Sequence, residues 1–536
     1  MFLILLNPYV LFIIYNDCVF EAANIVFIAG FFAASLLLSS LIWRARSALV
    51  RVLVYFLVLF LFIDFQFELV ETLGPALIAL KLALASALWV VRRYLGQIMS
   101  VAFATMLAAT IAMSALDQFE RSQAGGASNP PSARAGDPVL PVYVHLVLDE
   151  FLGIEGFDGG IPSQAAIKRE IVGLLVENGF RVFGRAYSRH ADTKQSLASL
   201  FNFVDADKSG ATIVTSANGA TLFRNRYFDD LIKNRYNINV YQSSYLDFCQ
   251  HNIDVINKCL VYAHSSTTSD VLSPFVLTEK LKIILAASTD LMHLKAQVAA
   301  AYMVHAREIA AGLGVALPPL VAWRGRTGPI PVLPMFDRLI EDVATARRGD
   351  MFFAHLLIPH DPYALDADCA LRRPAPAWNL RGSGWREETN SPESRLLNYQ
   401  DYVEQVRCTM RKVGTLLAVL NANPAAKDAV VIIHGDHGSR ICLLEAFTQF
   451  QDRFATTDFI DNYSTLYAAK SPTMTPGYDT RMLALPELLQ ATVFGEADGQ
   501  TESATQPFVY MRDVSGAFFE VPMPPLPMPD SPTASR

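Results

Sequence analysis

The sequence predicts an α/β fold: a mostly parallel sheet covered by helices, preceded by an N-terminal five-helix transmembrane domain. Three observations predict it. Between Val142 and Arg440, short apolar runs that stop at polar or Gly-containing turns alternate with stretches of helical spacing. Before residue 117, apolar segments approach the roughly 20 residues a helix needs to cross a bilayer. A stretch rich in Gly, Ala, Ser and Pro, SQAGGASNPPSARAGDP from Ser122 to Pro138, separates the two regions and reads as a flexible linker.

Composition agrees with this division. A chain of 536 residues is long enough for two or three domains. A mean hydropathy of +0.27 with 18% charged residues is high, and the excess lies almost wholly before residue 117. The net charge of -7 and the lack of a basic block exclude nucleic acid as an expected partner.

Taken in order, the apolar segments are Phe2 to Tyr15, Ala23 to Trp43, Val50 to Phe67, Pro75 to Val91 and Ile98 to Leu116. The first lacks the basic leader and cleavage site of a signal peptide, so it reads as a span. Arg44, Arg46, Arg51, Arg92 and Arg93 fall in one set of loops; Asp17, Glu21, Glu68 and Glu71 fall in the other. Basic loops stay in the cytoplasm. The expectation is a multi-pass protein of the bacterial inner (plasma) membrane, with a cytoplasmic amino terminus and a periplasmic domain after span five. Lys81, inside span four, reads as snorkelling or paired. The expected division is residues 1–117 transmembrane, 118–140 linker, 141–520 catalytic domain and 521–536 a disordered Pro-rich tail.

In the 141–520 region, Val142 to Leu148 is a strand candidate ending at Asp149-Glu150, followed by a helix from Ser163 to Asn178. A helix from Phe336 to Arg347 precedes a strand from Met351 to Ile358, which ends in Pro359-His360-Asp361-Pro362-Tyr363. A helix from about Asn398 to Leu420 leads into the strand VVIIHGDHGSR, Val430 to Arg440. Ser273 to Ala311 is a second helix-prone region, read either as helices packed on the domain or as helices on a membrane surface.

Ligands of open α/β sheets collect beyond the carboxyl ends of the strands, which places Asp149, Glu150, His360, Asp436 and His437 around one cleft. Hard oxygens beside imidazole nitrogen suit a divalent cation such as Zn²⁺ or Mn²⁺. Asp192-Thr193-Lys194-Gln195-Ser196 opens a helix whose buried face carries Leu197, Leu200 and Phe201. A hydroxyl there is either an amino-terminal cap or, beside a cation, a nucleophile.

The succession Asp-Glu after a strand, Thr-x-x-Ser opening a helix, Pro-His-x-Pro-Tyr and Gly-Asp-His-Gly resembles the sulfatase branch of the alkaline phosphatase superfamily. With five spans in front, it is similar to lipid A phosphoethanolamine transferases and lipoteichoic acid synthases. The resemblance implies a sulfatase-like domain, Thr193 as nucleophile, and Asp436, His437, Thr193 and at least one of Asp149 and Glu150 as metal ligands. It implies His360 at the transferred phosphate or leaving group. Lys194, His434 and Arg440 lie beside the matched positions, either neutralising substrate charge or as solvated or structural residues. No Cys-x-Pro-Ser-Arg is present, which makes a sulfate ester a less suitable substrate.

The implied function is membrane-bound transfer of a phospho-alcohol head group, of phosphoethanolamine or phosphoglycerol type, from a phospholipid to an envelope glycan or lipid via phosphothreonine. The alternatives are a hydrolase of the same fold, phosphodiesterase or phosphatase, and a non-catalytic membrane protein. Whether one or two metals bind is left open. The cysteines fit an oxidising compartment, with Cys249–Cys259 and Cys369–Cys408 expected as disulfides and Cys18 and Cys442 free.

Overall fold

The structure is a computed structural model. It describes residues 136–204, 213–216, 219–262, 275–281, 329–372, 390–494 and 506–528, stretches between 6 and 112, and positions 284, 309 and 312. The chain divides into two units, Met1–Ser128 with Ser266–Arg326, and Asn129–Ser265 with Thr327–Arg536.

In the first unit, α1 covers Ala22–Arg44 and α2 covers Ala76–Val90. Among the described residues no helix is long and apolar enough to cross a membrane. That overturns the expected five-helix transmembrane domain, and with it the multi-pass membrane placement. Apolar run length, the signal behind the expectation, records composition and not the reach of a helix. The 15 residues of α2 rise only about 22 Å at about 1.5 Å each, short of a hydrocarbon layer of roughly 30 Å. In α1, Asn24 and Ser35 are buried, and Asn24 Oδ1 accepts a 2.5 Å hydrogen bond from Tyr9. Most of segments one and three, the linker up to residue 135, Cys18 and most of Ser273 to Ala311 lie outside the described residues.

The second unit is built on an eight-stranded sheet. Its elements in order are β1 (Tyr143–Leu148), α3 (Pro162–Glu177), β2 (Arg181–Phe183), α4 (Thr193–Asn202), β3 (Ile213–Ser216), β4 (Gly219–Leu222), α5 (Arg226–Lys233), β5 (Asn237–Ser243), β6 (Leu246–Asp247) and β7 (Lys258–Tyr262). They continue with α6 (Pro329–Ala344), β8 (Asp350–Leu356), α7 (Pro392–Ala422), β9 (Val430–His434), α8 (Thr456–Tyr463), β10 (Tyr467–Lys470), β11 (Gly477–Asp479), α9 (Leu485–Phe494), β12 (Phe508–Arg512) and β13 (Phe518–Pro522).

The order across the main sheet is β11-β2-β10-β9-β1-β8-β5-β7. Strands β1, β5, β7, β8 and β9 run parallel. β10 runs antiparallel to both β9 and β2, so the sheet is mixed. The predicted strands sit at its centre because both faces are covered: all six residues of β1 are buried.

Alternation then sorts side chains to two layers. Val144, Leu146, Leu148, Ala354 and Ile433 pack with α3, α6 and α7 through residues such as Ile171, Phe336 and Val413. Tyr143, Val147, Phe353 and Ile432 pack with α4, α5 and α9 through Leu200, Phe228 and Leu488. Each such Leu, Val, Ile or Phe contributes about 1.5–3 kcal/mol by leaving water.

The long helix α7 starts six residues before the predicted Asn398, because Ser391 and Ser394 form a capping box and Pro392 occupies the first turn. Both expected disulfides, Cys249–Cys259 and Cys369–Cys408, are present, and Cys442 is free and buried. Within the stretch assigned by composition to a disordered tail, the described residues, up to Met528, pack against the domain. Val521, Met523 and Leu526 are buried, and Arg185 Nε donates to the Leu526 carbonyl. Only Val521 of the three lies in a strand, β13, which ends at Pro522.

Candidate nucleophile and metal site

Three neighbouring strand ends build the site. β1 ends at Leu148, and the next amide, Asp149 N, donates to Leu356 O of β8 at 3.0 Å. Glu150 then takes φ +61, a left-handed turn uncommon for a residue with a Cβ. β9 runs into Gly435-Asp436-His437-Gly438. A Cβ on Gly435 would lie 2.4 Å from Thr465 Oγ1 and 2.6 Å from Phe151 O, so glycine alone lets this turn close under the ligand loop. Asp436 Oδ1 accepts from the amides of Glu150 at 3.1 Å and His437 at 3.0 Å, tying the two strand ends together.

α4 delivers Thr193. The residue that caps this helix is Asp192, whose Oδ1 accepts from Gln195 N at 3.0 Å. The Thr193 hydroxyl is thus not used as the cap and faces the strand ends. It lies 3.5 Å from Asp149 Oδ2 and 3.3 Å from His437 Nε2. One turn on, Ser196 Oγ donates to Asp436 O at 2.5 Å, fastening α4 to the Gly-Asp-His-Gly loop.

Asp149, Asp436 and His437 are fully or nearly fully buried, and one donor atom from each lies within 4.8 Å of the others. His437 Nδ1 lies 2.9 Å from Gly438 O, which can only accept, so Nδ1 carries the proton. The lone pair of Nε2 therefore points at Asp436 Oδ2, 3.3 Å away, and Asp149 Oδ1, 3.9 Å away.

Neither of those carboxylate oxygens has a hydrogen-bond partner. A bare nitrogen and two orphaned anionic oxygens facing one another in the core repel, unless a cation sits among them. His437 Nε2 lies 3.3 Å from both Asp436 Oδ2 and Thr193 Oγ1, close to the roughly 3.3–3.6 Å between donors in a tetrahedron of about 2.0–2.2 Å bonds; Asp149 Oδ1, at 3.9 Å from Nε2, stands slightly farther out. The residues present therefore fit a divalent cation.

The electrostatics show the same frustration. Burial, then the charge of Asp436, pushes the Asp149 carboxyl well above the usual carboxylate range. Burial works the same way on Asp436, but His437 and His355 outweigh it and its pKa is lowered. Glu150 is raised by burial and then by Asp361.

A second group shares Asp149. Asp149, Glu150 and His360 form another set of donors within 4.8 Å of one another. His360 Nε2 is 3.4 Å from Glu150 Oε1, and its Nδ1 is 2.5 Å from Asp361 O. Gln405 of α7 donates to the His360 carbonyl at 2.8 Å and to that of Pro359 at 3.0 Å, which places the His360 turn.

The three residues expected to contact substrate separate. Arg440 is half-buried with φ +56. Burial opposes its charge, but Glu150, Glu445, Cys442 and Asp361 outweigh it and raise its pKa. Lys194 holds its ammonium 5.2 Å from the centre of the Tyr245 ring. His434 is not a substrate contact. It is fully buried, one nitrogen bound to His145 and the other to Gly435 O, and burial lowers its pKa to about 4.

Two residues were missed in the sequence. His355, buried in β8, places Nε2 3.5 Å from Asp149 Oδ2, and burial lowers its pKa to about 4. Inside the apolar run MFFAHLLI it is indistinguishable from a core histidine. Tyr245 stands on the β5–β6 turn. Burial raises its pKa first, and then the charges of Asp149, Asp192 and Asp436, and its ring carries the Lys194 ammonium.

No family model matches the chain, and no curated protein matches it. Among solved structures, a phosphonate monoester hydrolase of Agrobacterium radiobacter is similar at 11% identity, covering 70% of this chain and 81% of that one, with a TM-score of 0.42. A protein in the alkaline phosphatase superfamily from Vibrio parahaemolyticus is similar at 12% identity over 71% and 74%, with a TM-score of 0.37. The C-terminal periplasmic domain of EptC from Escherichia coli, in complex with Zn, is similar at 11% identity over 71% and 91%, also with a TM-score of 0.37. At these identities and TM-scores the likenesses carry no statement about this chain's chemistry.

Proposed function

We propose that this chain is a metal-dependent phospho-group transferase that moves a phospho-alcohol head group from a phospholipid to an envelope glycan or lipid through a phosphothreonine at Thr193. The observation that carries the reading is the convergence of the Thr193 hydroxyl, 3.3 Å from His437 and 3.5 Å from Asp149, on a buried donor set in which Asp149 Oδ1 and Asp436 Oδ2 have no hydrogen-bond partner.

Asp149, Asp436 and His437, with His355 beside Asp149, hold the cation, Zn²⁺ or Mn²⁺. When bound, it supplies Lewis acidity, which favours the ionised threonine hydroxyl and the charge that builds on the phosphate oxygens. Thr193 Oγ1 forms a bond to phosphorus while its proton passes to the nearby Asp149 carboxylate. The bond from phosphorus to the diacylglycerol oxygen breaks, and His360 protonates that oxygen as it leaves. Arg440 and Lys194 offset phosphate charge. In the second half the acceptor hydroxyl gives its proton to His360 and attacks phosphorus. The Thr193–phosphorus bond breaks, and Oγ1 recovers its proton from Asp149.

The full chain is incubated with vesicles of ethanolamine- and glycerol-headgroup phospholipid, and its intact mass is measured. An adduct on Thr193 whose mass identifies the head group is expected. Thr193→Ala should carry none and lose roughly 10⁴-fold or more in turnover, as for other lost nucleophiles. An adduct elsewhere, or unchanged turnover in Thr193→Ala, refutes the reading. Release of free phospho-alcohol, with the acceptor unmodified, makes the protein a hydrolase instead.

A further inference from the structure

The sheet face that packs on α4 carries a line of polar side chains that the chemistry above does not use. His145 of β1 and His434 of β9 are both 0% exposed, and their Nε2 atoms lie 2.8 Å apart. Beyond them, His145 Nδ1 is 2.8 Å from the Tyr227 hydroxyl, and His434 Nδ1 is 2.6 Å from Gly435 O. The pair is walled by Phe201 at 5.9 Å and Phe353 at 5.6 Å from His145, and by Tyr467 stacked 5.9 Å from His434.

The direction of every bond follows from one end. A carbonyl oxygen only accepts, so His434 Nδ1 carries its hydrogen. In a neutral ring, His434 Nε2 is then a bare acceptor, and His145 Nε2 must donate to it. That leaves His145 Nδ1 bare, and the Tyr227 hydroxyl donates there. Reversing any link would set two lone pairs or two hydrogens against each other at 2.8 Å, in an apolar core with no water to relieve them.

We propose that Tyr227 and His145 are positioning residues. By holding His434 in its Nδ1–H tautomer they clamp the Gly435 carbonyl, and so set where Asp436 and His437 present their donors. The proposal rests on the metal-site reading above. Gly435 suits the task because its amide is also fixed, donating to Leu466 O at 3.0 Å. With the peptides on both sides of Gly435 held, the next two side chains have little freedom to drift from their spacing.

The test is Tyr227→Phe in the full chain, titrated with Zn²⁺ alone. The ring stays in the core and only the first donor of the chain is lost. Zn²⁺ affinity is expected to fall about 10–100-fold, the range seen when residues behind metal ligands are changed. Tyr467→Phe is the control. It loses a hydroxyl from the same core, one bonded to Thr492 at 2.9 Å, while its ring still stacks on His434. It should melt lower but bind Zn²⁺ as the wild type does.

Equal Zn²⁺ affinity in Tyr227→Phe and wild type, or equal losses in both variants, overturns the positioning role. Nitrogen-15 NMR of the histidine rings reads the chain independently of metal. His434 should show the Nδ1–H tautomer and His145 the Nε2–H tautomer, with His145 changing in Tyr227→Phe. A wild type that binds no Zn²⁺ refutes the metal site. The ring spectra then decide alone, and a charged His145 or an Nε2–H His434 overturns the chain.

Discussion

Replacing Asp436 by Asn separates a cation site from an ordinary buried polar cluster. Asp436 Oδ1 accepts from the Glu150 and His437 amides at 3.1 and 3.0 Å, while Oδ2 has no partner and faces His437 Nε2 at 3.3 Å. An Asn keeps the first oxygen and places an NH₂ where Oδ2 was, so the bare Nε2 gains a donor. Two carboxylates with oxygens within 4.8 Å would, both ionised, repel by at least ~3.5 kcal/mol at an effective dielectric of about 20.

Without metal, Asp436→Asn should therefore be more stable than the wild type. Relief of even ~1 kcal/mol raises the melting temperature by about 2 °C in a domain of this size. With Zn²⁺ at about 100 times its Kd, the wild type should gain ~2.7 kcal/mol, or about 5 °C, and the variant nothing. Asp436→Ala leaves the two amides without an acceptor and should cost about 1–3 kcal/mol for each. The measurement is thermal unfolding with chelator and with Zn²⁺. If the wild type shows no metal-dependent shift and Asp436→Asn melts as low as Asp436→Ala, the site is not a cation site.

Two further outcomes concern stability. His190 stacks on Tyr510 at 4.9 Å, and burial lowers its pKa to about 4 against 6.5 for the free group. A histidine with a depressed folded pKa binds its proton first in the unfolded chain, so its contribution is complete above about pH 6.5 and is lost as pH falls toward 4, by up to ~3 kcal/mol. His190→Phe keeps a ring on Tyr510, and its loss of melting temperature between pH 7 and 4.5 should be visibly smaller than the wild type's; equal slopes would count against the shift. The disulfides close segments of 10 and 39 residues. Chain entropy assigns them ~3 and ~4 kcal/mol, so Cys369→Ser with Cys408→Ser should lower denaturant stability more than Cys249→Ser with Cys259→Ser.

The centre of the sheet was legible because its strands are apolar runs with abrupt polar ends. Val142 to Leu148, Met351 to Ile358 and Val430 onward all became central strands, and Asp149, Thr193, Asp436 and His437 do converge. The rim was not legible. β2, β10 and β11 are three or four residues long, and β10 owes its antiparallel direction to pairing with β9, which no local pattern records. The histidines of the interior were hidden for a related reason. His145 and His434 are 289 positions apart, and in strands buried on both faces no polar alternation shows which way a histidine turns. The amino-terminal reading went astray in accepting short apolar runs, the fourth among them, as membrane spans, whereas α2 is 15 residues long.

One consequence follows from the division of labour at the start of α4. Because the side chain of Asp192 terminates the helix, the identity of residue 193 is uncoupled from the helix's stability. Serine or cysteine could stand there without unwinding the turn. The atom proposed as the nucleophile is thus open to exchange by a single codon change, with the surrounding architecture left as it is.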